Sequence, residues 1–315
     1  PLSFYICNFF GALYFVRIAR NWSSLIRQWT RVEVSMKSYG FPPNIKKRFK
    51  IMTGTVLLLA LAEHLLFILN ALNSTWTCQN PDAEIYFGFA FPQVFTIISY
   101  SHWKAILVEV VNILVTFCWN FIDLFIMLLS SALALRFQQV SNKIENTKIM
   151  YEQFWRKIRE DYNRLYFLCA VLDKHIGPLV VVSFVSNLFF ICIQLYNSLK
   201  PRYGIIPAVY FFYSFGFLLG RTLAVAMYAA WINDESREPL KVLQSIPSEN
   251  YCVEIERIIQ QIHTTPAGIT GSKFFLITRS FLLKVAGTIV TFELMLLQFG
   301  PLIREDFNVS PPYPE

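Results

Sequence analysis

The chain has 315 residues, 55% hydrophobic and only 16% charged, with a mean hydropathy of +0.43. Several apolar runs exceed the roughly 18 residues needed to cross a bilayer, which excludes a soluble globular domain and predicts an all-α polytopic membrane protein. Net charge is +7, but topology accounts for it, and no nucleic-acid partner is expected.

Spanning segments fall near 1–16, 51–72, 105–135, 165–197, 205–231 and 274–300. The connections 17–50, 136–164 and 232–273 carry nine, seven and four of the 28 Lys and Arg residues, whereas the opposite side carries only Lys104, Lys200, Arg202 and Arg304. The positive-inside rule puts the first group in the cytoplasm. Two sequons, Asn73-Ser74-Thr75 and Asn308-Val309-Ser310, fall on the sparsely charged side. Asn73 and Asn308 are therefore predicted glycosylation sites, and the C-terminus is predicted to be extracellular. Asn21-Trp22-Ser23 lies on the basic side and reads as a chance match. With six spans the first is expected to enter from outside, so a cytoplasmic N-terminus would require one more helix upstream of Pro1.

In chain order, residues 17–50 set Arg17, Arg20, Arg27 and Arg31 among Trp22, Leu25, Ile26 and Trp29, the pattern of an interfacial helix continuing out of the membrane. Gly40-Phe41-Pro42-Pro43 breaks it. Lys46-Lys47-Arg48 then anchors the next span at the inner headgroups, with phosphoinositide recognition as the alternative. The outside connection 73–104 is rich in aromatics, including Trp76, Phe87, Phe91, Tyr100 and Trp103; these form an interfacial belt or roof a pocket.

The span 105–135 carries Glu109, Asn112, Thr116, Asn120 and Asp123 on one helical face, a polar stripe about 21 Å long at 1.5 Å per residue. Such polarity is costly against lipid and must face protein or water. It lines a hydrated vestibule or makes interhelical hydrogen bonds; for Asp123 the partner at similar depth is Arg221. Other outer-half polar groups are candidates to converge there: Glu63, His64 and Asn70, then Asn187 and Gln194, then Tyr210, Tyr213 and Ser214. Carboxylates and amides suit the hydroxyls of a neutral polyol, and aromatic faces suit its C–H surfaces. Asn187, Gln194 and the rest each have helix packing as the competing role.

Gln138 to Arg164 reads as a cytoplasmic helical extension that runs into the next span, with a kink expected at Gly177-Pro178. Asp173, Lys174 and His175 form a proton relay or a local charge cluster. Residues 250–263 are amphipathic, set off by Pro247 and Pro266. In the final span Lys284, Thr288, Thr291, Met295 and Gln298 recur on one face, a stripe suited to a water-filled path. Glu293 falls opposite and is expected to pair with a neighbouring helix. Cys7, Cys118, Cys169 and Cys192 read as packing residues, and Cys78 lies in an outside loop where a disulfide is permitted. No metal spacing, nucleophile motif, P-loop or dinucleotide fingerprint is present, so neither an enzyme nor a cofactor is expected.

The end of the chain resembles the C-terminal signature of insect gustatory receptors. That signature is a Thr-Tyr-hydrophobic-Leu run followed by Gln-Phe, here Thr291-Phe292-Glu293-Leu294 and then Gln298-Phe299, with Phe292 in place of tyrosine. Glutamate in the third place is similar to the sugar-receptor branch. Arg136-Phe137-Gln138-Gln139-Val140 and Asp161-Tyr162-Asn163-Arg164-Leu165 also fit the family. The resemblance implies a seven-helix subunit whose first helix is absent here, and a homotetramer with four final helices around a pore. Heteromers with related receptors are the alternative. It implies a non-selective cation conductance in a sensory-neuron plasma membrane, opened by a neutral sugar of disaccharide class. Gln298 and Phe299 match the gate, with Met295, Thr291 and Thr288 below. The ligand site is expected from Glu63, His64, Glu109, Asn112, Trp103, Asn187, Gln194, Tyr210 and Tyr213. Residues 1–249 would form the ligand-binding bundle with its cytoplasmic extensions. Residues 250–315 would form a cytoplasmic helix, the pore-lining helix and an extracellular tail. A sugar transporter and a G-protein-coupled receptor are the rival readings; the outward C-terminus opposes the latter.

Overall fold

The computed structural model describes residues 2–76, 82–146, 151–200, 202 and 204–308, the last ten of these by backbone alone. Among the described residues ten α-helices follow in order: α1 (Leu2–Ser35), α2 (Ile45–Trp76), α3 (Ala83–Ala90), α4 (Pro92–Phe95), α5 (His102–Glu145), α6 (Glu152–Ser198), α7 (Ile205–Arg237), α8 (Pro239–Leu243), α9 (Val253–Thr264) and α10 (Arg279–Asn308). Six of them, α1, α2, α5, α6, the α7–α8 stretch and α10, are long and apolar enough to cross a membrane. They coincide with the six predicted spans, and the chain is a multi-pass membrane protein.

Three helices outrun their spans. α1 continues unbroken to Ser35, where the chain turns through Gly40 at φ 73°. α5 extends 44 residues and α6 47 residues. α6 stays helical through Gly177 and Pro178, so the expected kink does not interrupt it. Proline costs a helix one backbone hydrogen bond, a loss that helices in membrane bundles tolerate.

The extensions of α1, α5 and α6 interlock below the bundle. Arg136 donates from Nε to Glu33 Oε1 at 2.9 Å and pairs through Nη2 with Glu33 Oε2; its Nη1 donates to the Gly40 carbonyl at 2.9 Å. Tyr39 donates to Asp161 Oδ2 at 2.9 Å, and Asp161 is fully buried. Burial, reinforced by the Asp161 charge, pushes the Tyr39 phenol far above its ordinary range and keeps it a donor. Tyr162 donates to the Ser236 carbonyl at 3.1 Å, and Gln261 donates to Asn163 Oδ1 at 3.1 Å. The two short family-like runs are thus the residues that lock the extensions together.

α9 buries Ile255, Ile258 and Ile262 against this layer, and its Glu254 pairs with Arg159 of α6. The connector to α10 is gripped by Asp173, which accepts from Thr270 N at 2.6 Å and from Thr270 Oγ1 at 2.8 Å. Asp173 therefore fastens a turn; it is not arranged as a relay with Lys174 and His175. The connector lies so close to α6 that a Cβ at Gly177 would sit 3.2 Å from Ser272 N and 3.4 Å from Thr270 O. Gly177→Val is accordingly expected to prise the connector off α6. Limited proteolysis of the purified protein should then cut within 265–278 several times faster than in the parent, and equal rates would mean the contact does not hold the strap.

α10 packs only one side against α6 and α7, through Phe281, Leu282, Ile289, Phe292 and Leu296. None of Arg279–Gln298 is buried in the protomer. Lys284, Thr288, Thr291, Met295 and Gln298 all lie on the exposed side. Glu293 is exposed too, and it makes no ion pair among the described residues. Cys78 and the side chains of Phe299 and Asn308 lie outside the described residues. Asn73 is half-buried near the end of α2. Cys7, Cys118, Cys169, Cys192 and Cys252 are free thiols.

Candidate functional site

A cavity of about 230 Å³ opens within the bundle, between α1, α2, α5, α6 and α7. α2 contributes Glu63, His64 and Phe67 at consecutive or i+3/i+4 positions, one face of the helix. α5 contributes Asn112, Thr116, Trp119 and Asn120, the middle of the predicted stripe. Gln194 and Phe190 come from α6, Phe4 from α1, and Tyr210, Ser214, Phe217, Leu218 and Arg221 from α7.

The polar groups of the wall are held in place. Ser214 donates to Glu63 Oε1 at 2.6 Å. His64 Nε2 lies 3.6 Å from Glu109 Oε1, while Glu109 Oε2 is buried with no partner among the described residues. Glu109 therefore stands behind the wall and orients His64. Aromatic faces form the rest: Trp119 and Phe190 centroids lie 4.8 Å apart, Phe4 and Trp119 4.8 Å, and Phe67 and Tyr210 6.2 Å. Phe91 between α3 and α4 is almost wholly buried against Phe67, 6.2 Å between centroids. The aromatic connection thus reaches the cavity's upper wall through Phe91, while Trp76 and Trp103 remain exposed.

Beneath the cavity lies a buried charge network. Asp123 is fully buried and accepts from Asn187 Nδ2 at 3.0 Å and from Ser183 Oγ. Arg221 Nε sits 2.7 Å from Asp123 Oδ2, close as a charge although its N–H is not aimed along that line. Arg221 also donates to Asn120 Oδ1, and from Nη2 to Asn187 Oδ1 at 3.3 Å. Its guanidinium lies 4.8 Å from the Trp119 ring and 5.4 Å from the Phe217 ring. The stripe of α5 therefore divides: Asn112, Thr116 and Asn120 reach the cavity, and Asp123 supports it from below.

Of the predicted ligand residues, Glu63, His64, Asn112, Gln194 and Tyr210 meet at the cavity, with Glu109 one shell behind. Asn187 does not line it. Its Oδ1 is taken by Trp119 Nε1 at 3.1 Å and by Arg221, and its Nδ2 by Asp123, so its amide is spent in the floor. Tyr213 donates to the Leu59 carbonyl at 3.0 Å and faces away. Trp103 is exposed, with Lys104 Nζ 5.8 Å from its ring. Phe4, Phe67, Trp119, Phe190 and Phe217 went unpredicted because an apolar residue in a span carries no mark of which face is hollow. Among the described residues there is no cluster able to hold a metal.

A family model described as the trehalose receptor matches residues 1–302. The gustatory receptor for sugar taste 64f of Drosophila melanogaster is 37% identical over 291 residues, covering 90% of this chain and 62% of that protein. The gustatory receptor for sugar taste 64a of the same species is 36% identical, covering 95% of this chain and 68% of that protein. Its gustatory receptor 5a for trehalose is 33% identical, covering 95% and 69%. This chain thus spans somewhat under two thirds of the first relative's length and slightly more of the other two. The structure of the insect olfactory receptor OR5 from Machilis hrabei superposes with a TM-score of 0.69 at 16% identity, over 94% of this chain and 79% of that one. At that identity the likeness is one of fold. Matched over nearly its whole length, the chain belongs to the trehalose receptor family, among the sugar gustatory receptors of insects.

Proposed function

We propose that this chain is a subunit of a sugar-gated, non-selective cation channel that serves taste in a sensory-neuron plasma membrane. The observation that carries the reading is the cavity, which joins the Glu63 carboxylate, the Asn112 and Gln194 amides and the Trp119 and Tyr210 rings in a trehalose receptor family member. A neutral polyol needs that set: acceptors and amides for its hydroxyls, aromatic faces for its C–H surfaces. Pockets for drug-sized ligands run from about 300 Å³ upward, so the present cavity suits one sugar ring. The second ring of a disaccharide such as trehalose would extend toward the aromatic connection and displace it. That displacement offers a route from binding to gating, because ligand shifts a channel only through tighter binding to its open form.

The pore belongs to α10. Its exposed stripe Thr288, Thr291, Met295 and Gln298 suits the lining of a conduit shared by four copies, with Gln298 and Phe299 as the outer gate. In this arrangement the basic connections face the cytoplasm and the C-terminus lies outside. Phe299→Ala is expected to raise basal current at least severalfold in patch-clamp recordings of cells expressing the full-length receptor. Unchanged basal and sugar-evoked currents would remove Phe299 from the gate. The reading as a whole is tested by reconstituting the receptor and applying a sugar panel. Unitary currents opened by sugar support it, and saturable sugar uptake without unitary currents makes it a transporter.

A further inference from the structure

A second hollow, of about 510 Å³, lies at the opposite, basic end of the bundle between α2, α5 and α7. One face of α2 builds its long wall: Lys47, Arg48, Ile51, Met52, Thr55 and Val56 follow the i, i+1, i+4, i+5, i+8, i+9 spacing that keeps side chains together. The face is cationic for its first turn and then mostly apolar. Met127 of α5 and Tyr228 of α7 close the other side. From Lys47 to Val56 the groove runs about 14 Å at 1.5 Å per residue, and its part beyond the cations, Ile51 to Val56, covers about 8 Å, roughly a quarter of the ~30 Å hydrocarbon core.

The cations are presented toward this groove. Arg48 lies 4.7 Å from the centroid of Trp231, whose Nε1 is itself held by Glu235 at 2.7 Å. The indole thus holds the guanidinium in place, and a guanidinium takes phosphate oxygens through its N–H groups. Neither Lys47 nor Arg48 is ion-paired among the described residues. A groove with two cations at one end, neither ion-paired among the described residues, and a mostly apolar floor beyond them matches the headgroup and upper acyl region of one class of molecule. We propose that it binds a single anionic phospholipid of the cytoplasmic leaflet, phosphate on Lys47 and Arg48 and one acyl chain along Ile51, Thr55 and Met127. The lipid would wedge α2 against α5 and α7, the helices that also form the outer cavity.

Native mass spectrometry of the purified full-length receptor, titrated with phosphatidylserine or phosphatidylcholine, tests this. Phosphatidylserine is expected to bind one per subunit and at least tenfold tighter than phosphatidylcholine. A charge-assisted contact to the phosphate contributes about tenfold or more in affinity, so Lys47→Gln/Arg48→Gln should weaken phosphatidylserine at least about 20-fold. Lys37→Gln/Lys50→Gln, equally exposed but outside the groove, should change it less than threefold. Thr55→Trp, at an exposed position of the floor, should obstruct the chain and weaken binding as well. The proposal is overturned if phosphatidylserine binds no tighter than phosphatidylcholine, or if the two charge pairs act alike. It is equally overturned if Thr55→Trp has no effect, or if soluble glycerophosphoserine displaces the lipid at millimolar concentration, which would make the site a simple anion site.

Discussion

Asp123→Ala should cost about 3–5 kcal/mol of stability, the toll of stripping one partner from a buried ion pair. Arg221 is nearly inaccessible, and among the described residues Asp123 is the carboxylate beside it. Without that charge its guanidinium would be left among Asn120, Asn187, Trp119 and Phe217, none of which neutralises it. Asn187 Nδ2 and Ser183 Oγ would lose their acceptor in the same step, adding unpaired buried donors. The variant should reach the cell surface poorly and unfold at a clearly lower temperature in detergent. Because the penalty comes from the orphaned charge, Asp123→Leu/Arg221→Met should recover much of the loss, since replacing both members of a buried pair is often neutral. A single variant as stable as the parent, or a double variant worse than the sum of its parts, would show that the network does not hold the bundle.

The same network marks how far sequence reasoning reached. The Asp123–Arg221 pair was legible because two charges at similar depth in a membrane have few options besides each other. The spans were legible from length and hydropathy, and α9 from its isoleucines at helical spacing. The continuation of α1, α5 and α6 beyond their spans was legible too, from mixed-charge stretches in which apolar residues keep returning. What hid the site is the solvent. In a bilayer both the lipid-facing and the packed side of a helix are apolar, so periodicity no longer tells inside from outside. Phe67 and Phe190 line the cavity while Phe117 and Phe212 face outward, and nothing local distinguishes them. Polar residues kept their signal, but it says only that a partner exists. Asn187 found its partners in the floor and Tyr213 in the α2 backbone, while Gln194 lines the cavity.

Glu63→Ala should raise the sugar concentration for half-maximal current about tenfold to a hundredfold. Glu63 lines the cavity and already accepts one hydrogen bond from Ser214, which fixes its rotamer. A sugar hydroxyl given to its remaining oxygen would make a charge-assisted bond worth about 1.5–3 kcal/mol net. At about 1.4 kcal/mol per factor of ten, losing that bond sets the range. The alanine also leaves Ser214 without its acceptor, which pushes the effect toward the upper end. Glu63→Gln keeps the shape and an acceptor oxygen, so it should fall between the parent and the alanine. Glu109→Gln acts one residue removed, by loosening His64, and should shift the curve less than Glu63→Ala does. Single-channel conductance should be untouched in all three, because none of them lies on α10. The series is decisive because its order follows distance from the cavity. If Glu109→Gln exceeds Glu63→Ala, the sugar sits on the His64 side. If none of the three moves the curve while Phe299→Ala still raises basal current, the channel stands and its ligand binds outside this cavity.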